Sequence, residues 1–265
     1  RTKLQAAFVG LACLAITATG WEAGVGAADA LRTATFDRLT VIRQTRCRQI
    51  ERFFEDATNH VLALSADESS IAALEEFERA WPQLAAPPDA RARLEPLYNG
   101  RTDWMPADPR AHALQYHYIL TNPYPIGQKD RLLTAPDAGA YGRAHTRFHP
   151  TLHRFQSAFG FYDIFLIDAS GRLLYTVFKE FDLGATLAAP PYSNTALGRA
   201  YHRAMALSDP EQAVLEDYAA YTPSEEAPAA FIATPIWRRG EKAGVLAIQV
   251  SIDEVNRVMT GNGHW

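Results

Sequence analysis

The sequence predicts an α+β protein: one long N-terminal helix, a helical insert, and a five-stranded antiparallel sheet in the C-terminal part. Three observations carry this. Residues 161–167 and 173–178 are apolar, β-branched and aromatic runs flanking Asp168, Ala169, Ser170 and Gly171, the pattern of a hairpin closed by a Gly-containing loop. Residues 27–65 keep Leu39, Ile42, Ile50, Phe53, Ala57, Val61 and Leu64 near helical spacing with no proline, the pattern of one long helix. Three more strand-like runs, 213–221, 229–236 and 243–251, follow a helical stretch near 195–206. Helices before and between strands that neighbour one another antiparallel make an α+β fold.

The chain has 265 residues, enough for one large domain or two small ones with a real core. Its 21% charged and 48% hydrophobic residues are those of a globular protein. The net charge of −4, without a basic patch interleaved with aromatics, gives no reason to expect nucleic acid. Cys13 and Cys47 form no disulfide framework.

At the N-terminus, residues 4–21 are uncharged between Lys3 and Glu22 and include Phe8, Val9, Leu11, Leu14 and Ile16. Roughly 20 apolar residues span a bilayer, so the segment is just long enough. Arg1 and Lys3 would stay cytoplasmic and Trp21 would sit at the far interface. A cleaved secretory signal or a buried soluble helix are the competing readings. The helix of residues 25–66 is a stalk and a parallel dimer interface, or a helix packed only on its own domain. Asp67 and Ser69-Ser70 offer caps for a helix over 71–81, before Pro82. Residues 90–98 and 111–121 read as short helices in a proline-rich region, and 140–158 as a longer one leading into the hairpin. Both faces of each hairpin strand are apolar (Ile164 and Leu166 on one side, Phe165 and Ile167 on the other), which predicts a hairpin in the middle of a sheet. Asp253 is expected to cap a last helix through Met259.

Several stretches together resemble a known family. They are Arg-Gln-Ile-Glu-Arg-Phe-Phe (48–54), Leu-Gln-Tyr-His-Tyr-Ile (114–119), Asn-Pro-Tyr-Pro-Ile-Gly-Gln-Lys-Asp (122–130), Phe-Tyr-Asp-Ile-Phe-Leu-Ile-Asp (161–168), Tyr-Thr-Val-Phe-Lys-Glu-Phe-Asp (175–182) and Ala-Phe-Ile-Ala-Thr-Pro-Ile (230–236). With the apolar N-terminal segment, they resemble the double Cache extracytoplasmic sensor regions of bacterial transmembrane receptors, most of all those fused to adenylate or guanylate cyclases. The resemblance covers nearly the whole chain. It implies a PAS-like (Cache) sheet with a small-molecule pocket, mounted on the stalk. It also implies a second module, a return transmembrane helix and a cytoplasmic output domain (cyclase, chemoreceptor or histidine kinase) outside these residues. On this reading 1–24 is a transmembrane helix in the bacterial inner membrane, 25–66 the stalk, 67–159 the helical insert, 160–260 the sheet module, periplasmic or extracellular, and 261–265 the start of the link to the second module. The rival from another class is a secreted or anchored binding protein or hydrolase without signalling output.

No nucleophile–base pattern, phosphate loop, cofactor fingerprint or paired metal-binding cysteines is present, so the chain is not expected to be an enzyme by itself. His145, His149 and His153 recur at i, i+4 and i+8, a spacing that can ligate a metal from one helix face. Pro150 counts against a continuous helix there, and hydrogen-bonded helix histidines are commoner, so no metal is assigned. A pocket for a small polar ligand combines aromatic walls with a few polar groups. The candidates are Tyr116, His117 and Tyr118 on the insert, Tyr175 and Lys179 on and after the second hairpin strand, and Asp217 and Tyr221 on the third strand. An Asp would hold an ammonium and a Lys a carboxylate. The competing readings are solvated strand-end charges for Lys179, Glu180 and Asp182. Many amino-acid-binding double Cache domains carry an Arg-x-Trp-aromatic element before the pocket aspartate. No such element lies between the hairpin and Asp217, which leaves the ligand class open.

Overall fold

The computed structural model of the chain describes residues 2–136 and 138–260. Two compact units are present, Arg1–Arg52 and Phe53–Trp265. The expected link at 261–265 lies outside the described residues. Helix α1 (Thr2–Ala66) supplies all the described residues of the first unit. Its N-terminal part is the one helix among the described residues that is long and apolar enough to cross a membrane, and none of that part is buried within the chain.

In the second unit, α1 turns amphipathic: Ala57, Val61 and Leu64 enter the core. The carboxylate of Asp67 accepts from the N–H groups of Ser69 and Ser70, which caps α2 (Glu68–Ala80). This helix starts three residues earlier than the pattern implied, because the cap satisfies its first donors. Short helices α3 (Ala90–Leu94) and α4 (Pro109–Gln115) follow. Helix α4, with Pro109 in its first turn, continues into one wide turn of π-helix at Tyr116–Leu120.

Helix α5 (Gly139–Phe159) runs straight through Pro150, against the expected break. Tyr141, Ala144, His145, Phe148, His149 and Leu152 are all buried along it. Burial of that whole face outweighs the roughly 3 kcal/mol an interior proline costs a helix. Gly160 ends it with the left-handed conformation, φ 71°.

Strands β1 (Asp163–Asp168) and β2 (Leu173–Thr176) form the expected hairpin. Helix α6 (Ala196–Ala206) is capped by Thr195, whose hydroxyl accepts from the N–H of Gly198. Strands β3 (Val214–Tyr221), β4 (Ala227–Arg238) and β5 (Glu241–Ser251) come next, and then α7 (Ile252–Thr260), with Asp253 inside its first turn rather than ahead of it.

The five strands form one antiparallel sheet in the order β2-β1-β5-β4-β3. The hairpin is therefore not central. β5 inserts beside β1 with Asp163 opposite Gln249, and leaves β2 at the edge. That edge is nevertheless wholly buried. The chain doubles back over it, with Leu173 N–H donating to Ala185 O, Gly184 N–H to Leu173 O and Leu187 N–H to Gly171 O, at 2.7–2.9 Å. Covering an edge in this way satisfies its exposed backbone groups. Gly171 (φ 85°) closes the hairpin loop where a Cβ would come within 2.9 Å of the Ala188 nitrogen. One face of the sheet carries Ile164 and Leu166 into a core with α2 and α5. The other carries Phe165 and Ile167 into a core with α6.

Candidate functional site

A cavity of about 360 Å³ opens at the end of the sheet where β1 begins. Segments around 97–101 and 119–129 of the insert form one side. Tyr162 and the 178–181 segment after β2 form the floor, and the 222–225 turn after β3 closes the rim. The aromatic rings are paired: Tyr98 with Phe181 at 5.2 Å between centroids, and Tyr162 with Phe178 at 4.4 Å. Three residues of its wall, Asn99, Lys179 and Glu225, are non-glycines in the left-handed backbone region, with φ of 48°, 66° and 55°. Glu226, next to the rim, is a fourth at 64°. Each such conformation costs about 1–3 kcal/mol and persists only where the surroundings impose it, and such residues cluster at functional sites.

The floor is ionisable and largely out of water. Asp163 is fully buried, on the same face of β1 as Phe165 in a strand covered on both faces. Its Oδ1 accepts from the N–H groups of Ile164, Val177 and Phe178 at 2.7–3.0 Å, tying the segment after β2 to β1. Burial and the neighbouring Asp182 push its carboxyl up to about 8 against the pull of those three N–H groups. Glu180 accepts from the hydroxyls of Tyr162 (2.8 Å) and Ser224 (2.6 Å). Burial and the charges of Asp182 and Asp163 raise it to about 8. Asp182 accepts from the Tyr221 hydroxyl at 2.6 Å and is raised by burial to about 6. Lys179 is 2% exposed. Its ammonium donates to Val177 O at 2.8 Å, and burial lowers it to about 7 while Asp163 holds it up. The Gln249 amide donates to Ser224 Oγ, extending the network to β5. Asp163 Oδ2, Asp182 Oδ1 and Gln249 Oε1 have no partner among the described residues.

Of the residues expected from sequence, Lys179 lines this cavity and Tyr221 stands behind its floor, fully buried against Asp182. The reading of Lys179, Glu180 and Asp182 as solvated strand-end charges is overturned. Lys179 and Asp182 are buried and Glu180 is half-buried, because the insert and the 222–225 turn close over the segment.

The other expected residues fall elsewhere. Tyr116 is half-buried, and the Arg93 guanidinium lies 5.0 Å over its ring and donates to its hydroxyl. His117 is hydrogen-bonded to Ala85 O at 2.9 Å. Tyr118 packs on Tyr141 and His145. Tyr175 stacks on Phe77 at 5.1 Å. Tyr118 and Tyr175 belong to the core on the α2–α5 side, whereas Tyr221 belongs to the core on the other face. Asp217 is exposed, in a stretch of β3 where the register slips between Glu216 and Ala219, and its carboxylate accepts from the Tyr218 N–H.

The histidine row does form one face of α5, His145 to His149 at 4.3 Å and His149 to His153 at 5.5 Å. Most of its nitrogens are hydrogen-bonded, while His145 Nε2 is buried without a partner among the described residues. His145 Nδ1–H donates to Leu133 O, and His149 Nε2–H donates to Asp130 O, so His149 Nδ1 accepts from the Tyr175 hydroxyl at 2.6 Å. Burial holds His145 well below its ordinary value and lowers His149 to about 3, so both stay neutral. His153 faces the Asp130 carboxylate at 2.9 Å. Among the described residues no cluster of His, Cys, Asp or Glu has the arrangement of a metal centre.

Sequence reasoning gave no site role to Asp163, Ser224 and Gln249, and read Glu180 and Asp182 only as solvated strand-end charges. The one local signal was Asp163, a lone acid inside an apolar strand run.

No protein-family profile matches the chain, and no curated protein sequence does. Solved structures that the chain matches include the sensor domain of the V. cholerae histidine kinase DctB, at 15% identity and TM-score 0.35 over 63% of this chain and 57% of that one. The sensory domain of the Campylobacter jejuni chemoreceptor Tlp3, with isoleucine bound, matches at 10% identity and TM-score 0.33 over 79% and 65%. The ligand-binding domain of the Pseudomonas fluorescens chemoreceptor CtaA, in complex with L-serine, matches at 18% and TM-score 0.30 over 62% and 58%. The chain spans less than two thirds of the length of each. All three are sensor or ligand-binding domains of signalling receptors.

Proposed function

We propose that this chain is the extracytoplasmic input region of a membrane-anchored bacterial signalling receptor, and that it binds a small molecule in the cavity at the end of the sheet. The observation that carries the reading is the cavity itself. It has about 360 Å³ of space, paired aromatic walls, and a floor in which Lys179 and Glu180 are held away from water. Pockets of that size and make-up take metabolite-sized ligands. The apolar start of α1 anchors the region in the membrane, and the rest of that helix passes occupancy, as a parallel homodimer, to a cytoplasmic nucleotide cyclase, chemoreceptor or histidine kinase output. The chain's own residues bind and transmit; catalysis belongs to the output domain.

A thermal-shift screen of the full 265-residue chain in detergent micelles against a metabolite library tests the reading. A ligand at a hundredfold excess over its Kd stabilises the folded state by about 2.7 kcal/mol. That raises Tm by roughly 5 °C or more for a domain of this size. Leu120→Trp, which puts an indole into the cavity, is expected to remove the shift while leaving the unliganded Tm within a few degrees. A hit that Leu120→Trp and Thr222→Trp both retain would place binding elsewhere.

A further inference from the structure

The cavity floor holds more ionisable groups than its hydrogen bonds can satisfy, and they sit on the one segment that links the floor to the sheet. Asp163 comes from β1; Lys179, Glu180 and Asp182 come from the 177–184 segment, which runs from the end of β2 to the strip covering the sheet edge. That segment is held at its start by Asp163 Oδ1, which takes the Val177 and Phe178 N–H groups, and by Thr176 Oγ1, which takes the N–H of Lys179. Lys179 keeps a left-handed backbone there, φ 66°. Glu180 ties the segment to the rim through Ser224, and Asp182 ties it to β3 through Tyr221.

We propose that this cluster is a proton-operated switch on the cavity: its protonated carboxyls hold the 177–184 segment closed as the floor, and loss of their protons loosens that segment. Asp163 Oδ2 and Asp182 Oδ1 are buried and have no donor of their own, so ionising these carboxyls places charge that the donors on Asp163 Oδ1 and Asp182 Oδ2 offset only in part. The negative charge of Asp182 raises Asp163 and Glu180, and that of Asp163 raises Glu180.

The groups packed around the cluster do not absorb the charge. From α5, His145 and His149 are held neutral. Tyr162 before β1, Tyr175 on β2, Tyr221 on β3, Tyr98 on the insert and Tyr192 before α6 are all pushed up by burial, so they stay protonated donors. Asp130 adds negative charge that acts on Lys179. At the mouth, Arg101 is paired with Glu226 at 3.1 Å, and Lys129 donates to Ile119 O. Lys179 is the cation that Asp163 acts on, and it works against the carboxyls: burial lowers it, so the closed segment favours its neutral form and its own loss of a proton eases closure. The opening on raising pH is therefore driven by ionisation of Asp163, Glu180 and Asp182. Such a switch is distinct from ligand binding and operates without a ligand.

The experiment follows two signals from the full chain in micelles between about pH 6 and about pH 9, the range these groups span. One is the infrared band of protonated carboxyls. The other is amide hydrogen exchange of residues 177–184, corrected for intrinsic rate and referenced to β4 and β5. Expected is a protonated-carboxyl band at the acid end that disappears on raising pH, with a ~10-fold or larger fall in relative protection of 177–184 in step with it. In Asp163→Asn with Glu180→Gln, band and fall should both shrink. If no protonated carboxyl is present at the acid end, the proposal fails. It fails equally if the band titrates while protection of the segment stays constant. Both of these outcomes are read on the unaltered chain, so a double variant that does not fold leaves the test intact. A negative ligand screen bears only on the sensing function and not on this switch.

Discussion

Asp168→Ala is expected to cost this protein about 3 kcal/mol of folding stability, among the larger losses a single polar substitution causes here. Asp168 is 1% exposed at the end of β1. Its Oδ1 accepts from Ser170 N–H, Ser170 Oγ–H and Arg172 N–H at 2.7–2.9 Å, and its Oδ2 takes the Arg172 guanidinium. Hydrogen bonds to a charged group are worth about 1.5–3 kcal/mol each and do not add fully. Alanine leaves two backbone donors of the hairpin loop without their acceptor, and it frees Arg172, which also lies 5.6 Å over the Trp81 ring. Arg172→Ala should cost roughly half as much. The Arg172 side chain is 36% exposed, and its loss leaves the three loop donors on Oδ1 in place. Urea melts of the two variants read the difference as a shift in midpoint at constant slope. Equal losses would mean that the ion pair, not the loop, carries the stabilisation.

The hairpin was legible because its information is local. Asp168 and Gly171 are the residues a tight loop demands, and the runs on either side are apolar on both faces. Its place in the sheet was not legible. Strand order depends on β5, some 80 residues later, choosing β1 as a neighbour, and no feature of β1 announces that choice. The two apolar faces that suggested a central hairpin are covered by α2 and α5 on one side and by α6 on the other, while residues 184–187 run along the open edge of β2. Helix α5 shows the same limit from the other side. Pro150 is a correct local reason to end a helix, but Phe148, His149 and Leu152 are buried by the surrounding fold, and tertiary packing overrides the local preference.

The site divides along the same line. Lys179 stood out as a cation at the end of an apolar strand, and Tyr221 as an aromatic on the third strand. Asp217 looked equivalent, but alternation along β3, with Val214 and Glu216 buried and Leu215 and Asp217 exposed, turns it outward. Burial of Glu180 and Asp182 is imposed by segments around 97–101 and 222–225, far away in sequence. A run such as Lys179-Glu180-Phe181-Asp182 carries no mark that distinguishes a covered loop from a solvated one.

Tyr221→Phe should show that these acids are coupled to stability, through a loss that depends on pH. The substitution keeps the ring, and with it the 4.9 Å packing on Phe231, and removes only the hydroxyl that donates to Asp182 Oδ2. Asp182 is raised in the folded state to about 6 from an ordinary 3.8. A carboxyl raised on folding contributes stability that is fully present below its unfolded value and is lost as pH rises through its folded one. The Tyr221 hydrogen bond pulls Asp182 down and so limits that loss. Without it the folded value rises further, and the loss continues to higher pH. At about pH 5 both proteins fold with Asp182 largely protonated, and the variant should be weaker by only about 1 kcal/mol, the worth of a neutral hydrogen bond. At about pH 8 the parent's Asp182 is ionised, and the gap should widen to roughly 2–3 kcal/mol, that of a hydrogen bond to a charged acceptor. Urea melts at the two pH values measure both gaps. A gap of the same size at both would mean that Asp182 does not change protonation between them, and would remove it from the titrating cluster beneath the cavity.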